Sequence, residues 1–144
     1  MRLVSLLLLG MLASGLWFSG FSTAQAVEAA TCDLHQSECR APLHTGEAFA
    51  VLSITPRPIK TMTRQEISVQ LEGISLSALL IDFSGVEMFM GLNQTRLQAD
   101  ADGVLRGSII LPACMSAQMT WQVKLFSDTD KALLTAPFFF KTGR

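Results

Sequence analysis

The chain has 144 residues, 49% of them hydrophobic, and its 11 Lys and Arg against 12 Asp and Glu leave a net charge of −1 at pH 7. A near-neutral chain with no run of basic residues lacks the electrostatic footprint of a nucleic-acid binder, or of a protein held to anionic lipid by charge. The length suits a single domain able to bury its own core.

Arg2 supplies a positive start, residues 3–21 carry no charge, and Ser22-Thr23-Ala24-Gln25-Ala26 follows. A basic start, an apolar run and a small-residue Ala-x-Ala form a secretory signal, residues 1–26, cut after Ala26, with Ala30 as the alternative site. The competing reading is an uncleaved membrane tether, because the run is about long enough to span a bilayer. The Ala-x-Ala and the lack of a basic flank after the run favour cleavage. Lipidation at Cys32 is disfavoured by the preceding Thr31. The expected location is therefore periplasmic. Removing residues 1–26 from the 144 takes away one basic and no acidic residue, leaving 118 residues with a net charge of about −2.

Residues 27–46 are polar and irregular and hold both histidines, His35 and His44, with Cys32 and Cys39. They read as a tethered N-terminal arm, and residues 47–144 as the domain proper. From residue 47 the hydrophobic pattern has period two, the mark of half-buried strands. Ala50, Leu52 and Ile54 form the first inward set, and Pro56-Arg57-Pro58 stops the strand. Ile67, Val69 and Leu71 form the second, with Gly73 turning the chain. Leu79, Ile81 and Phe83 form the third, ended by Ser84-Gly85. Residues 86–91 are ambiguous. Thr95–Ala99 reads as a strand leading to an Asp102-Gly103 hairpin turn. Leu105, Gly107, Ile109 and Leu111 alternate up to Pro112. Met119, Trp121, Val123 and Leu125 alternate up to the Asp128-Thr129-Asp130 turn. Leu133–Phe140 is the last expected strand, with Pro137 implying an edge or a bulge. The fold class expected is all-β: an Ig-like antiparallel β-sandwich of about seven strands. A small closed barrel is second.

Enzyme signatures are absent. The chain has no Gly-x-Ser-x-Gly, no His-Glu-x-x-His, no phosphate-cradling glycine loop and no tyrosine. Its carboxylates sit singly, so neither acid–base catalysis nor a small-molecule substrate is suggested. The Asn93-Gln94-Thr95 triplet matches a glycosylation acceptor and is read as chance. Sulfur is more informative. Beyond the signal the methionines are Met62, Met88, Met90, Met115 and Met119. Met88 and Met90, at i and i+2, fall on one side of an extended chain. Pro112-Ala113-Cys114-Met115 adds a thiol and a thioether. Soft sulfur ligands select Cu(I), and an imidazole from His35 or His44 would complete a mixed site. Met88, Met90, Cys114 and Met115 are therefore the candidate metal ligands, and copper the candidate cofactor. The plain alternatives are core packing and disulfide formation. Met119 shares its face with Trp121 and Val123 and reads as core, while one of Met88, Phe89 and Met90 must point inward. Three cysteines allow a bridge 32–39, 32–114 or 39–114, with one thiol left over. The spacing does not choose, but a bridge from Cys114 to the arm is the leading reading for that residue.

The run Asp82-Phe83-Ser84-Gly85-Val86-Glu87-Met88-Phe89-Met90-Gly91, followed by Leu111-Pro112 and Met119-Thr120-Trp121-Gln122-Val123, resembles the FixH/YtkA-like group of small exported β-sandwich domains, over about residues 79–123. Only Met88, Met90 and Gly91 match that group's Met-x-Met-Gly motif. The chain departs from the group in its three cysteines, in the lack of histidine near the methionines, and in a cleavable N-terminus. The resemblance implies a periplasm-facing sandwich linked to copper delivery or to maturation of a membrane-bound respiratory or transport complex. The function expected is thus a non-catalytic periplasmic accessory protein that handles Cu(I). A metal-free interaction module with a structural disulfide is the alternative.

Overall fold

The computed structural model describes residues 32–135 and 137–143, and the expected signal, residues 1–26, lies outside the described residues. Eight strands follow the period-two pattern: β1 (Cys39–Pro42), β2 (Phe49–Thr55), β3 (Arg64–Glu72), β4 (Ala78–Gly85), β5 (Gln94–Ala99), β6 (Leu105–Ile110), β7 (Gln118–Ser127) and β8 (Phe138–Gly143). Among the described residues there is no helix. Side chains alternate across a strand, so each inward set lands on one face. Ala50, Leu52 and Ile54, Ile67 and Val69, Leu79, Ile81 and Phe83, and Met119, Trp121, Val123 and Leu125 are all buried to 2% exposure or less.

The fold is all-β and every strand pairing is antiparallel. The sheet count differs from the expected sandwich. One eight-stranded sheet runs in the order β1-β2-β3-β6-β5-β4-β7-β8. Strands β4, β5 and β6 are consecutive neighbours, and β7 returns beside β4, which is a Greek key. Two links join what would be separate sheets. The β5–β6 hairpin is hydrogen-bonded only near its turn, at Gln98↔Arg106 and Ala99↔Leu105, and carries the sheet around one corner. At the other corner a Leu43↔Thr135 bridge brings the end of β1 to the approach of β8. The sheet therefore rolls nearly into a barrel.

The stretch read as an irregular arm is tied into this roll. Cys39–Pro42 pairs with β2, Leu34 is fully buried, and Cys32 and Cys39 form a disulfide. The short loop this bridge closes contributes about 2–3 kcal/mol in the chain-entropy picture. Arg40 lies over the Phe49 ring at 3.4 Å and binds Glu72 of β3 at 2.7 Å, so one side chain clamps three strands. Alternation is too short at 39–42, and broken by Pro42, to be read as a strand. The last strand also shifts. Leu133 and Thr135 make only isolated bridges, and the regular strand begins after Pro137 and runs to Gly143.

Trp121 is the largest side chain in the core, and its Nε1–H donates to Thr142 Oγ1 at 3.0 Å across the β7–β8 pair. Thr142→Val keeps the shape but strands a buried indole N–H, which costs about 1–3 kcal/mol. The urea midpoint should fall accordingly with an unchanged slope. An unchanged midpoint would mean that the indole finds another partner.

Candidate functional site

Antiparallel pairing decides which loops share an end. The registers Thr55↔Glu66, Arg64↔Ile110, Asp82↔Gln94 and Gln118↔Gly143 place the β2–β3, β4–β5 and β6–β7 loops together at one end of the roll. These loops carry Met62, then Met88 and Met90, then Cys114 and Met115, and Met119 opens β7 beside them. Every methionine among the described residues is at this end, together with the unpaired Cys114. The reading of Cys114 as bridged to the arm is therefore overturned, because Cys39 takes Cys32 at short range.

Cys114 meets Met88 across the Greek key. Its Sγ–H donates to Met88 Sδ at 2.9 Å, although the two residues are 26 positions apart. Ser116 supports the sulfur from the other side, with its hydroxyl at 2.9 Å and its amide at 3.5 Å. The Ser116 hydroxyl, then its amide, stabilises the thiolate and holds the Cys114 thiol below its ordinary value, against the upward push of desolvation and a smaller one from the Glu87 charge. Cys114, Ser116 and Met119 line a cleft of about 100 Å³, with Thr61 and Thr142 on its other walls. That is room for an ion or a few waters.

The Met-x-Met loop is held by four devices. Val86 N–H donates to Thr120 O. Glu87 accepts from the Thr120 hydroxyl at 2.6 Å and from its amide at 2.8 Å, and these bonds hold its carboxyl below the usual carboxylate range. Asn93 Nδ2 donates to the carbonyls of Met90 and Gly91. Gly91 turns the loop at φ +78, where a Cβ is strained. The loop then folds back over Gly85. A Cβ there would lie 2.4 Å from the Met88 carbonyl oxygen, 2.9 Å from Met90 Cγ and 3.3 Å from Met119 Sδ. Only glycine permits this approach.

The sequence-predicted ligands divide accordingly. Met88 and Cys114 touch. Met90 is half-buried and packs on the core beside Gly85. Met115 is 94% exposed and points to solvent. The histidines are not brought into the site. His35 Nδ1 accepts from Ile59 N–H at 3.0 Å, so Nε2 carries the proton and donates to Lys141 O at 2.6 Å. Both ring nitrogens are in use, and the ring packs edge-on against Phe140. His44 lies in the β1–β2 connection, at the opposite end. Among the described residues no three His, Cys, Asp or Glu side chains gather to hold a metal ion. The supporting residues Gly85, Glu87, Asn93, Ser116 and Thr120 carry no sequence motif. Of these, only the adjacency of Gly85 to the Met-x-Met run offered a signal.

Compared with known protein families, with curated proteins and with solved structures, the chain matches none.

The same end is apolar. Met62, Val86, Met88, Phe89, Leu92, Ile110 and Met115 are all exposed, Phe89 and Leu92 by more than 80%. Exposed apolar side chains therefore gather on the loops at this end of the roll.

The Ser116 contacts make a direct prediction. Ser116→Ala removes the hydroxyl that stabilises the thiolate, so alkylation of Cys114 by iodoacetamide should be slower at a given pH. Its rate–pH curve should move to higher pH. A curve that coincides with wild type would show that Ser116 does not tune the thiol.

Proposed function

We propose that this protein is an exported, non-catalytic accessory protein that holds Cu(I) at the sulfur-rich end of its β-roll and passes it to a membrane-bound respiratory or transport complex. The observation that carries the reading is the convergence of Cys114 Sγ and Met88 Sδ, 2.9 Å apart, at the end that holds every described methionine. Thiolate and thioether donors are those that favour Cu(I) over hard cations. With both His35 nitrogens occupied, imidazole donors that would suit Cu(II) or Zn(II) are withdrawn from the site. The resemblance of residues 79–123 to the FixH/YtkA-like group supports the same role and the periplasmic location. The exposed rim of Phe89, Leu92 and Val86 fits a carrier that must dock to hand over its cargo.

That same rim favours a second reading, a metal-free interaction module in which the sulfurs only pack. Titration of the full chain with Cu(I) under reducing conditions, in competition with a chelating indicator, separates the two. The copper reading expects one ion per chain and a weaker complex for Met88→Leu/Met90→Leu and for Cys114→Ser. If wild type does not compete for Cu(I), the copper reading fails and the interaction module stands. If the double variant binds as wild type does, the site is not at the Met-x-Met loop.

A further inference from the structure

We infer that the three loops at the sulfur-rich end seat on a lipid bilayer. In the chain that keeps residues 1–26, the domain then stands with this end against the membrane that its apolar segment, residues 3–21, enters. The inference is independent of copper and concerns the orientation of the domain.

Apolar exposure is concentrated at this end. Met115, Phe89 and Leu92 are exposed by 94%, 83% and 82%, and Met62 by 70%. Among the described residues no large apolar side chain elsewhere exceeds the 38% of Leu133 and Phe139. The loops that carry these side chains are stitched to one another. Met62 N–H donates to Leu111 O at 2.8 Å, which ties the β2–β3 loop to the β6–β7 loop. Cys114 Sγ–H donates to Met88 Sδ at 2.9 Å, which ties the β6–β7 loop to the β4–β5 loop. Met62 also holds a left-handed backbone, φ 56, a conformation that costs a non-glycine residue free energy, and its side chain still lies in solvent. The apolar tips are thus braced outward, and the free energy of leaving them in water is recovered when a nonpolar medium takes them.

Two features choose a bilayer as that medium. The first is where the chain enters the fold. The His35 ring bonds Ile59 N–H of the β2–β3 loop and Lys141 O near the end of β8, so residues 32–38 are fastened beside these loops. Only residues 22–31 separate the apolar segment from Cys32, a span of at most about 35 Å. The second is charge. The near loops, residues 56–63, 86–93 and 111–117, carry Arg57, Lys60 and a single carboxylate, Glu87, which Thr120 holds. The loops at the far end carry Glu47, Asp100, Asp102, Asp128 and Asp130 against Lys131. An anionic bilayer surface therefore repels the far end and not the near one. Arg57 and Lys60 can keep their charged heads at the headgroup level while the tips insert. With so few basic residues, apolar insertion and not charge supplies the binding.

The test uses the full chain, 13C-labelled at the Met and Ile δ1 methyl groups, in bicelles of phosphatidylcholine with a minor share of phosphatidylglycerol and a doxyl-labelled lipid. The methyl signals of Met62, Met115 and Ile110 should be strongly attenuated by the spin label. That of Ile74, in the β3–β4 connection at the far end, should not be. Omitting phosphatidylglycerol should leave this pattern in place. Phe89→Ser/Leu92→Ser alters two side chains outside the core and should lower the attenuation at Met115 by about threefold or more. Equal attenuation of Ile74, or none at any of these methyls, overturns the inference. So does wild-type attenuation in the double variant, or a pattern that vanishes without phosphatidylglycerol. Loops covered by a second copy of the chain would give no attenuation and a Met115 signal that shifts on dilution, which also overturns it. No metal enters the measurement, so its failure leaves the Cu(I) reading untouched.

Discussion

The pairing of β4 with β7 is the constraint on which the rest depends. Ile81 faces Leu125, Phe83 faces Val123, and Gly85 faces Trp121 across it, all on the buried side. A slip of one residue would turn that apolar row out to solvent, so the register is strongly fixed. Once it is fixed, the Met-x-Met loop must leave β4 directly over the start of β7, and Thr120 is in place to hold Glu87. The thiol and the thioethers are positioned by hydrophobic pairing well away from the sulfur atoms themselves.

The Greek key turns this register into chemistry. Residues 86–93 and 111–117 are separated by the whole β5–β6 hairpin, but both connect to strands that end on the same side. A free thiol is brought to a thioether without any local motif. The disulfide acts by exclusion. By taking Cys39, Cys32 leaves Cys114 as the unpaired thiol, half-buried and hydrogen-bonded on two sides.

Much of the fold was legible because its core strands alternate cleanly. The inward sets at 50–54, 67–71, 79–83 and 119–125 and the Asp102-Gly103 turn read directly from period and turn chemistry. Strand β1 did not, because four residues including Pro42 give no period to detect, and its place is secured by Arg40, Leu34 and the disulfide. Closure of the sheet was also illegible, since it hangs on one bridge and two hairpin pairs. Of the site, residue types were visible and neighbours were not. Met88 and Cys114 stood out as soft donors, but that they touch is a property of topology. Met119 shows the limit most clearly: its strand position makes it core, and that it also lines the cleft beside Cys114 is a property of topology.

X-ray absorption at the copper edge, on the full chain loaded with one Cu(I), tests the central claim most directly. The account predicts a first shell made only of sulfur, reduced by loss of one scatterer in Met88→Leu. A shell containing nitrogen or oxygen donors would contradict it.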